Sequence, residues 1–336
     1  MFWILGVFIF LLSCLLTSTL RNYAIKKSII DVPNARSSHT VPTPRGGGIA
    51  IVISFIISLL VLGFIGYLKI SFLVALLGAC LGVSILGFMD DRGHIPAGWR
   101  LLGHLIASIW LLFWMGGVPP IIFFGFNVDL GWFGNILAIV YLVWMLNLYN
   151  FMDGIDGIAS IEAITTCVCG AFLYFIVGHN DAAILPLLLA ASVAGFLYWN
   201  FPPAKIFMGD AGSGFLGFTL AAFTLEAFWA QPQLLWSWII LLGVFVVDAT
   251  VTLLRRFIRK EKVHVAHRSH AYQHASRFFR AHKPVSIAVL LINLLWLFPW
   301  AIAVALLKLD GFVAVLIAYI PLMYLAFKFH AGKEEL

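Results

Sequence analysis

Five aspartates fall in short, glycine-bearing polar turns: Asp90 and Asp91 in "MDDRG", Asp153 and Asp156 in "NLYNFMDGIDG", and Asp210 in "MGDAGSG". The middle stretch spaces Asn147, Asn150, Asp153 and Asp156 by three. Each turn has an ordinary reading. Asp-Gly pairs favour turns, and Asp156 or Asp210 could cap the helix that follows. "GDAGSG" follows no strand and lacks the lysine of a phosphate-binding loop. Those readings leave the surplus of acid unexplained, since like charges at close range repel. A divalent cation relieves that repulsion, and carboxylate and amide oxygens without cysteine suit Mg²⁺, with Mn²⁺ as the alternative, over Zn²⁺. The basic groups point to an anion. Arg45 stands beside Gly46, Gly47 and Gly48, whose backbone N–H groups could approach a phosphate closely. Arg268 lies within a run of His264, His267, His270 and His274. The last three histidines would share a helix face, but a zinc site would normally include cysteine or a dedicated carboxylate. Acids for a metal and cations for a phosphate imply phosphoryl chemistry, in which a protein mainly positions groups and neutralises charge.

The elements that must position these residues are membrane helices. Of 336 residues, 62% are hydrophobic and 11% charged, against about 25% charged in a soluble domain. Eleven apolar runs, roughly 2–20, 48–67, 70–89, 101–118, 132–149, 158–177, 182–199, 212–229, 233–254, 285–306 and 311–328, have the length of bilayer spans. The expectation is an all-α polytopic integral membrane protein of about eleven transmembrane helices, ten being the alternative count, forming one membrane domain over 1–336. Leu11–Cys14 resembles a lipoprotein cleavage box, but the apolar run continues past it. Cys14, Cys80, Cys167 and Cys169 lie in apolar runs without metal-ligand spacing and read as lipid- or core-facing. With the N-terminus outside, 19 of the 21 lysines and arginines fall in inner segments, leaving Lys69 and Lys308 outside. That asymmetry sets the orientation. The polar stretches "RSSHTVPTPRGGG", "MDDRGHIPAGWR", "NLYNFMDGIDG", "NFPPAKIFMGDAGSG" and "HVAHRSHAYQHASR" then share the cytoplasmic face, where a water-soluble substrate and a lipid headgroup meet. A transporter is the rival reading from the span count. Transporters, however, carry their charged site near the bilayer midplane, and here only Glu162, Glu226 and Asp248 fall within apolar runs. Asp248 would pair with Arg255, seven residues on and on the same helix face.

"PRGGG", "DDR", "NLYNFMDGIDG", "FMGDAGSGFLG" and the histidine loop, in this order, resemble the polyprenyl-phosphate N-acetylhexosamine-1-phosphate transferases. The resemblance spans nearly the whole chain. It implies transfer of N-acetylhexosamine-1-phosphate from a UDP-sugar to undecaprenyl phosphate in a bacterial inner membrane, with no nucleic-acid partner and with homodimers among the relatives. It also implies roles by position: Asp210 as metal ligand with Asn150 as a second, Phe207 as the ring that stacks on uracil, Asp156 as a contact to the base, and Asp90 with Asp91 as the acidic pair for the lipid-phosphate proton. Asp153 joins the acidic cluster as a catalytic candidate. Asp248 matches a carboxylate that the family keeps near the inner end of a helix. Arg100 stands where many relatives carry lysine, and arginine changes the geometry of the charge. In "HRSHAYQ", His270 matches the first histidine of an Asp-x-x-His-x-His-His pattern. His267 falls at its aspartate, and Tyr272 and Gln273 replace the other histidines. With Arg268, His267 is a substrate-binding candidate. This form of the loop resembles the branch that initiates O-antigen of lipopolysaccharide, with UDP-GlcNAc or a 6-deoxy relative such as UDP-FucNAc as donor.

Overall fold

A computed structural model describes residues 2–33, 38–93, 95–261 and 268–333. Every apolar run is helical: α1 Phe2–Lys26, α2 Gly48–Phe64, α3 Ile70–Gly93, α4 Ala97–Met115, α5 Gly131–Met152, α6 Ile158–Ile176, α7 Ile184–Asn200, α8 Asp210–Ala230, α9 Pro232–Leu241, α10 Gly243–Ile258, α11 Ala271–Phe278, α12 His282–Ile292, α13 Phe298–Leu307 and α14 Gly311–Lys328. The strands are two short antiparallel pairs: β1 (Ile30–Asp31) with β2 (Thr43–Pro44), and β3 (Ile121–Phe123) with β4 (Phe126–Val128). Helix dominates because inside a bilayer only a helix or a closed barrel satisfies its own backbone hydrogen bonds. The chain is an all-α polytopic membrane protein.

Among the described residues, eight helices are long and apolar enough to cross a bilayer, counting α12 and α13 as one span through a π-turn at Asn293–Leu297. A ninth span is formed if α9 and α10, bent by 68° at Leu242, count as one, and α2 and α7 are 17-residue apolar helices. The eleven runs of the sequence are therefore all present, two of them at the short limit for spanning.

The central helix is α8, whose apolar window is 94% buried, whereas that of α1 is 17% buried. Lipid supplies no hydrophobic drive between helices, so close packing needs small residues at the crossings. At the crossing of α2 and α8, a Cβ on Gly48 would lie 2.5 Å from the Gly212 Cα. This contact brings the start of α2, just after Arg45, against the start of α8, where Asp210 stands.

Candidate active site

The segment before α2 lies alongside the segment before α8. Phe207 N–H donates to the Pro44 carbonyl (2.8 Å), Gly46 and Gly47 N–H donate to the Phe207 carbonyl (3.1 and 2.9 Å), and Gly48 N–H donates to the Met208 carbonyl (2.9 Å). The three glycine amides expected to face a phosphate are therefore occupied in docking one loop on the other. What this docking delivers is Arg45, whose guanidinium Nη2 lies 2.6 Å from Asp210 Oδ1 and 2.7 Å from Asp91 Oδ1. Burial alone would lower the Arg45 pKa, but the carboxylates of Asp210, Asp91 and Asp31 hold it above its ordinary value.

Asp91 reaches from the end of α3 to the start of α8. Its two oxygens accept from the Asp210 N–H and the Ala211 N–H, each at 3.1 Å. These are amides that a helix N-terminus leaves without partners, so Asp91 caps α8 from another helix. Gly209 makes room: its φ is +81°, and a Cβ there would sit 2.9 Å from Asp91 Oδ2. Asp90, one residue earlier, turns elsewhere. It pairs with Arg100 and accepts from the Ile95 N–H at 2.9 Å.

A cavity of about 510 Å³ opens beside Arg45 and Asp210. Asn150, Asp153, Asp156 and Phe207 also line it, as do Gln273 and His282. Burial raises the Asp153 pKa well above the ordinary 3.8, and the negative charge of Asp210 raises it further, with Arg45 opposing. Asn150 donates its Nδ2–H to Ser213 Oγ at 3.0 Å, which leaves the amide oxygen as its remaining polar function at the wall. Asn147 donates to the Val143 carbonyl one turn back (2.7 Å) and serves its own helix. Asp156 accepts from the Ala204 N–H at 3.0 Å, which ties the turn after α5 to the loop that carries Phe207. A second cavity of about 580 Å³ shares Asp156, Phe207 and His282 with the first and adds Arg277, Arg280 and Lys283.

The structure thus brings together Arg45, Asn150, Asp153, Asp156, Phe207 and Asp210. Asp90, Asp91, Arg100, Arg268 and His270 are not among the residues that line this cavity. Arg268 is exposed. His270 is 2% exposed, with its Nδ1 3.3 Å from Asp248 Oδ1. Asp248 also accepts from the Ala271 and Tyr272 N–H groups, both at 2.9 Å, and so caps α11. The expected Asp248–Arg255 pair is corrected: Arg255 reaches from the end of α10 to the Ala331 carbonyl at 2.6 Å. Shared helix face put the two side chains in register, but α11 supplied Asp248 with nearer donors. His264 and His267 lie outside the described residues.

Gln273 and His282 were missed. Gln273 carried one legible signal, since it stands three residues after His270, and its Oε1 accepts the His270 N–H (3.2 Å) in a capping box. His282 carried none, being one more polar residue at the start of an apolar helix. Among the described residues, no group of three or more His, Cys, Asp or Glu side chains is placed to hold a metal. Asp210 and Asn150 offer one carboxylate and one amide oxygen. That is too few for an all-protein cage, but it fits Mg²⁺, which keeps waters and takes substrate phosphates as ligands.

A polytopic helical bundle that gathers acids, an arginine and an aromatic ring at one end defines a membrane-embedded enzyme of anionic substrates. The comparisons with known proteins agree. Residues 72–228 match the model of glycosyl transferase family 4. A protein of Bacillus subtilis described as a probable undecaprenyl-phosphate N-acetylglucosaminyl 1-phosphate transferase is 29% identical, over 84% of this chain and 79% of its own length. The phospho-N-acetylmuramoyl-pentapeptide-transferase of Moorella thermoacetica is 31% identical over 63% of this chain and 69% of its own, and that of Halalkalibacterium halodurans is 29% identical over 63% and 68%. The chain belongs to this family, the polyprenyl-phosphate hexosamine-1-phosphate transferases.

Proposed function

We propose that the chain transfers N-acetylhexosamine-1-phosphate from a UDP-sugar to undecaprenyl phosphate at the cytoplasmic face of a bacterial inner membrane. An oxygen of the lipid phosphate attacks the sugar-bearing phosphorus of the donor. A new phosphoanhydride bond forms, the bond to the bridging oxygen of the donor diphosphate breaks, and UMP leaves. The observation that carries this reading is the convergence of Arg45, Asp153, Asp156, Phe207 and Asp210 on one cavity.

Phe207 offers a ring face and Asp156 a carboxylate edge, as a uracil requires. Arg45 meets the developing phosphate charge. Asp210 and Asn150 would hold Mg²⁺, which when bound neutralises the diphosphate and stabilises charge on the oxygens in transfer. Proton acceptance from the lipid phosphate was expected of Asp90. Asp153, which lines the cavity and has a raised proton affinity, is the better placed carboxyl for that step. The relative from Bacillus subtilis matches 84% of this chain and the two peptidoglycan enzymes 63%. This favours an N-acetylglucosamine-type donor and a role outside peptidoglycan, with O-antigen initiation as the reading of the "HRSHAYQ" loop.

The test uses membranes containing the protein, undecaprenyl phosphate, Mg²⁺ and a panel of UDP-sugars, with mass spectrometry of the lipid product. Lipid-dependent UMP release from at least one UDP-N-acetylhexosamine is expected. Its absence across the panel sinks the proposal.

A further inference from the structure

His282 opens α12 with its ring in the wall shared by the two cavities. Its Nδ1 lies 3.2 Å from Asp156 Oδ1 and 3.3 Å from the Asp156 backbone nitrogen, and its Nε2 lies 3.1 Å from the Ser38 carbonyl oxygen. An oxygen acceptor at each ring nitrogen is the pattern that a doubly protonated imidazolium satisfies. One turn along the same helix, Ser286 donates to the Asp156 carbonyl at 2.8 Å. The first turn of α12 therefore holds Asp156 at its carboxylate and its carbonyl together. The Ser38 contact fixes the imidazole from its far side. It also sets the neighbouring His39 against Phe207, edge-on with ring centroids 4.8 Å apart.

We propose that His282 is a positioning residue for the sugar-nucleotide donor: it fixes the Asp156 carboxylate beside Phe207 and so sets the slot for the uracil. This rests on the proposed function, which gives Asp156 and Phe207 to the base. Other charged groups surround the ring. Asp153 and His39 share the first cavity with it, and Arg277, Arg280 and Lys283 share the second. Lys283 lies over the Phe201 ring, 5.9 Å from its centroid, and Arg277 donates to the Arg268 carbonyl at 3.2 Å. Asp156 is the carboxylate that His282 contacts directly.

The experiment is calorimetric titration of UDP into the full-length protein in detergent. His282→Gln keeps a donor at the Nε2 position and loses the one that meets Asp156. His282→Asn keeps the donor at the Nδ1 position. A charge-assisted hydrogen bond lost in the first variant should weaken UDP binding about tenfold, whereas the second should stay within about threefold of wild type. In an Asp156→Asn background, His282→Gln should cost nothing further, because both changes remove one contact. Equal losses in the Gln and Asn variants, or losses that add in the double variant, overturn the inference. A wild-type protein that binds no UDP instead overturns the functional reading beneath it. Should His282→Gln not fold, ¹⁵N-histidine spectra of the wild type serve: the His282 ring signals, assigned with His282→Asn, should move on UDP saturation, and their constancy refutes the clamp.

Discussion

The two ends of α8 each border a cavity, and the larger one is not the candidate site. The cavity at the end of α8 that carries Glu226 measures about 860 Å³, against about 510 Å³ at Asp210. It too is lined by acids, Asp181 and Glu226, and by a lysine, Lys69. The difference lies in how the acids are held. Tyr67 donates its hydroxyl to Asp181 at 3.0 Å, which with burial pushes the phenol pKa up to about 12, and Tyr174 donates to Glu226. Each acid there has a neutral phenol as its partner. At the other end Asp91 and Asp210 share one guanidinium, and Asp153 and Asp156 stand close enough for their charges to be felt. Charge gathered against its own repulsion, and not volume, marks the end of the bundle that is built to receive a charged ligand.

The comparison breaks first at Asp210. Asp210→Asn removes the carboxylate that Arg45 holds and that the proposed metal requires, while the Asp91 cap on the backbone of α8 remains. Lipid-dependent UMP release should fall by about 10³-fold, the equivalent of the several kcal/mol that metal and charge stabilisation supply. Thermal unfolding should change little. An Asp210→Asn enzyme with near wild-type turnover would remove the reason to prefer this end over the other.

The sequence showed most of the architecture because apolar runs of bilayer length leave the backbone few alternatives. It showed the side chains of the site less evenly. Asp153, Asp156 and Asp210 were legible as acids in glycine turns, and they do meet at one cavity. Asp91 looked the same in sequence but proved to cap α8, a role set by where α3 ends in relation to α8. Gly46, Gly47 and Gly48 read as a phosphate cradle, yet their amides serve the loop from Phe207 to Met208. In each case local chemistry was read correctly, and a partner far along the chain decided its use. His282 is the extreme case: its partners Asp156 and Ser38 are 126 and 244 residues away.

A gentler test concerns Asp153, where the clustering of charge should be visible in stability. Its pKa is raised in the folded chain, by burial first and then by Asp210. The folded state therefore binds this proton more tightly than the unfolded state does. The resulting stabilisation is complete below the unfolded value of about 3.8 and is lost as pH rises through the higher folded value. Asp153→Asn cannot ionise. Relative to wild type it should gain in thermal stability as pH rises from acid to neutral, by about 2–4 °C for each kcal/mol relieved. A difference that is flat with pH would mean that the acids at this end are no more strained than those at the other.

The smallest effect is expected at the other end. Glu226 accepts the Tyr174 hydroxyl, and a glutamine at the same place still offers an oxygen to that donor. Glu226→Gln should therefore leave UMP release within about twofold of wild type. It should shift unfolding by no more than about 1 kcal/mol, the scale of one exchanged hydrogen bond. The contrast with Asp210→Asn is the point of the measurement, since both replace an acid by its amide at an end of α8. A loss of activity at Glu226→Gln of tenfold or more, with folding intact, would make the larger cavity part of the mechanism. The distinction would then have to be sought in something other than how the acids are paired.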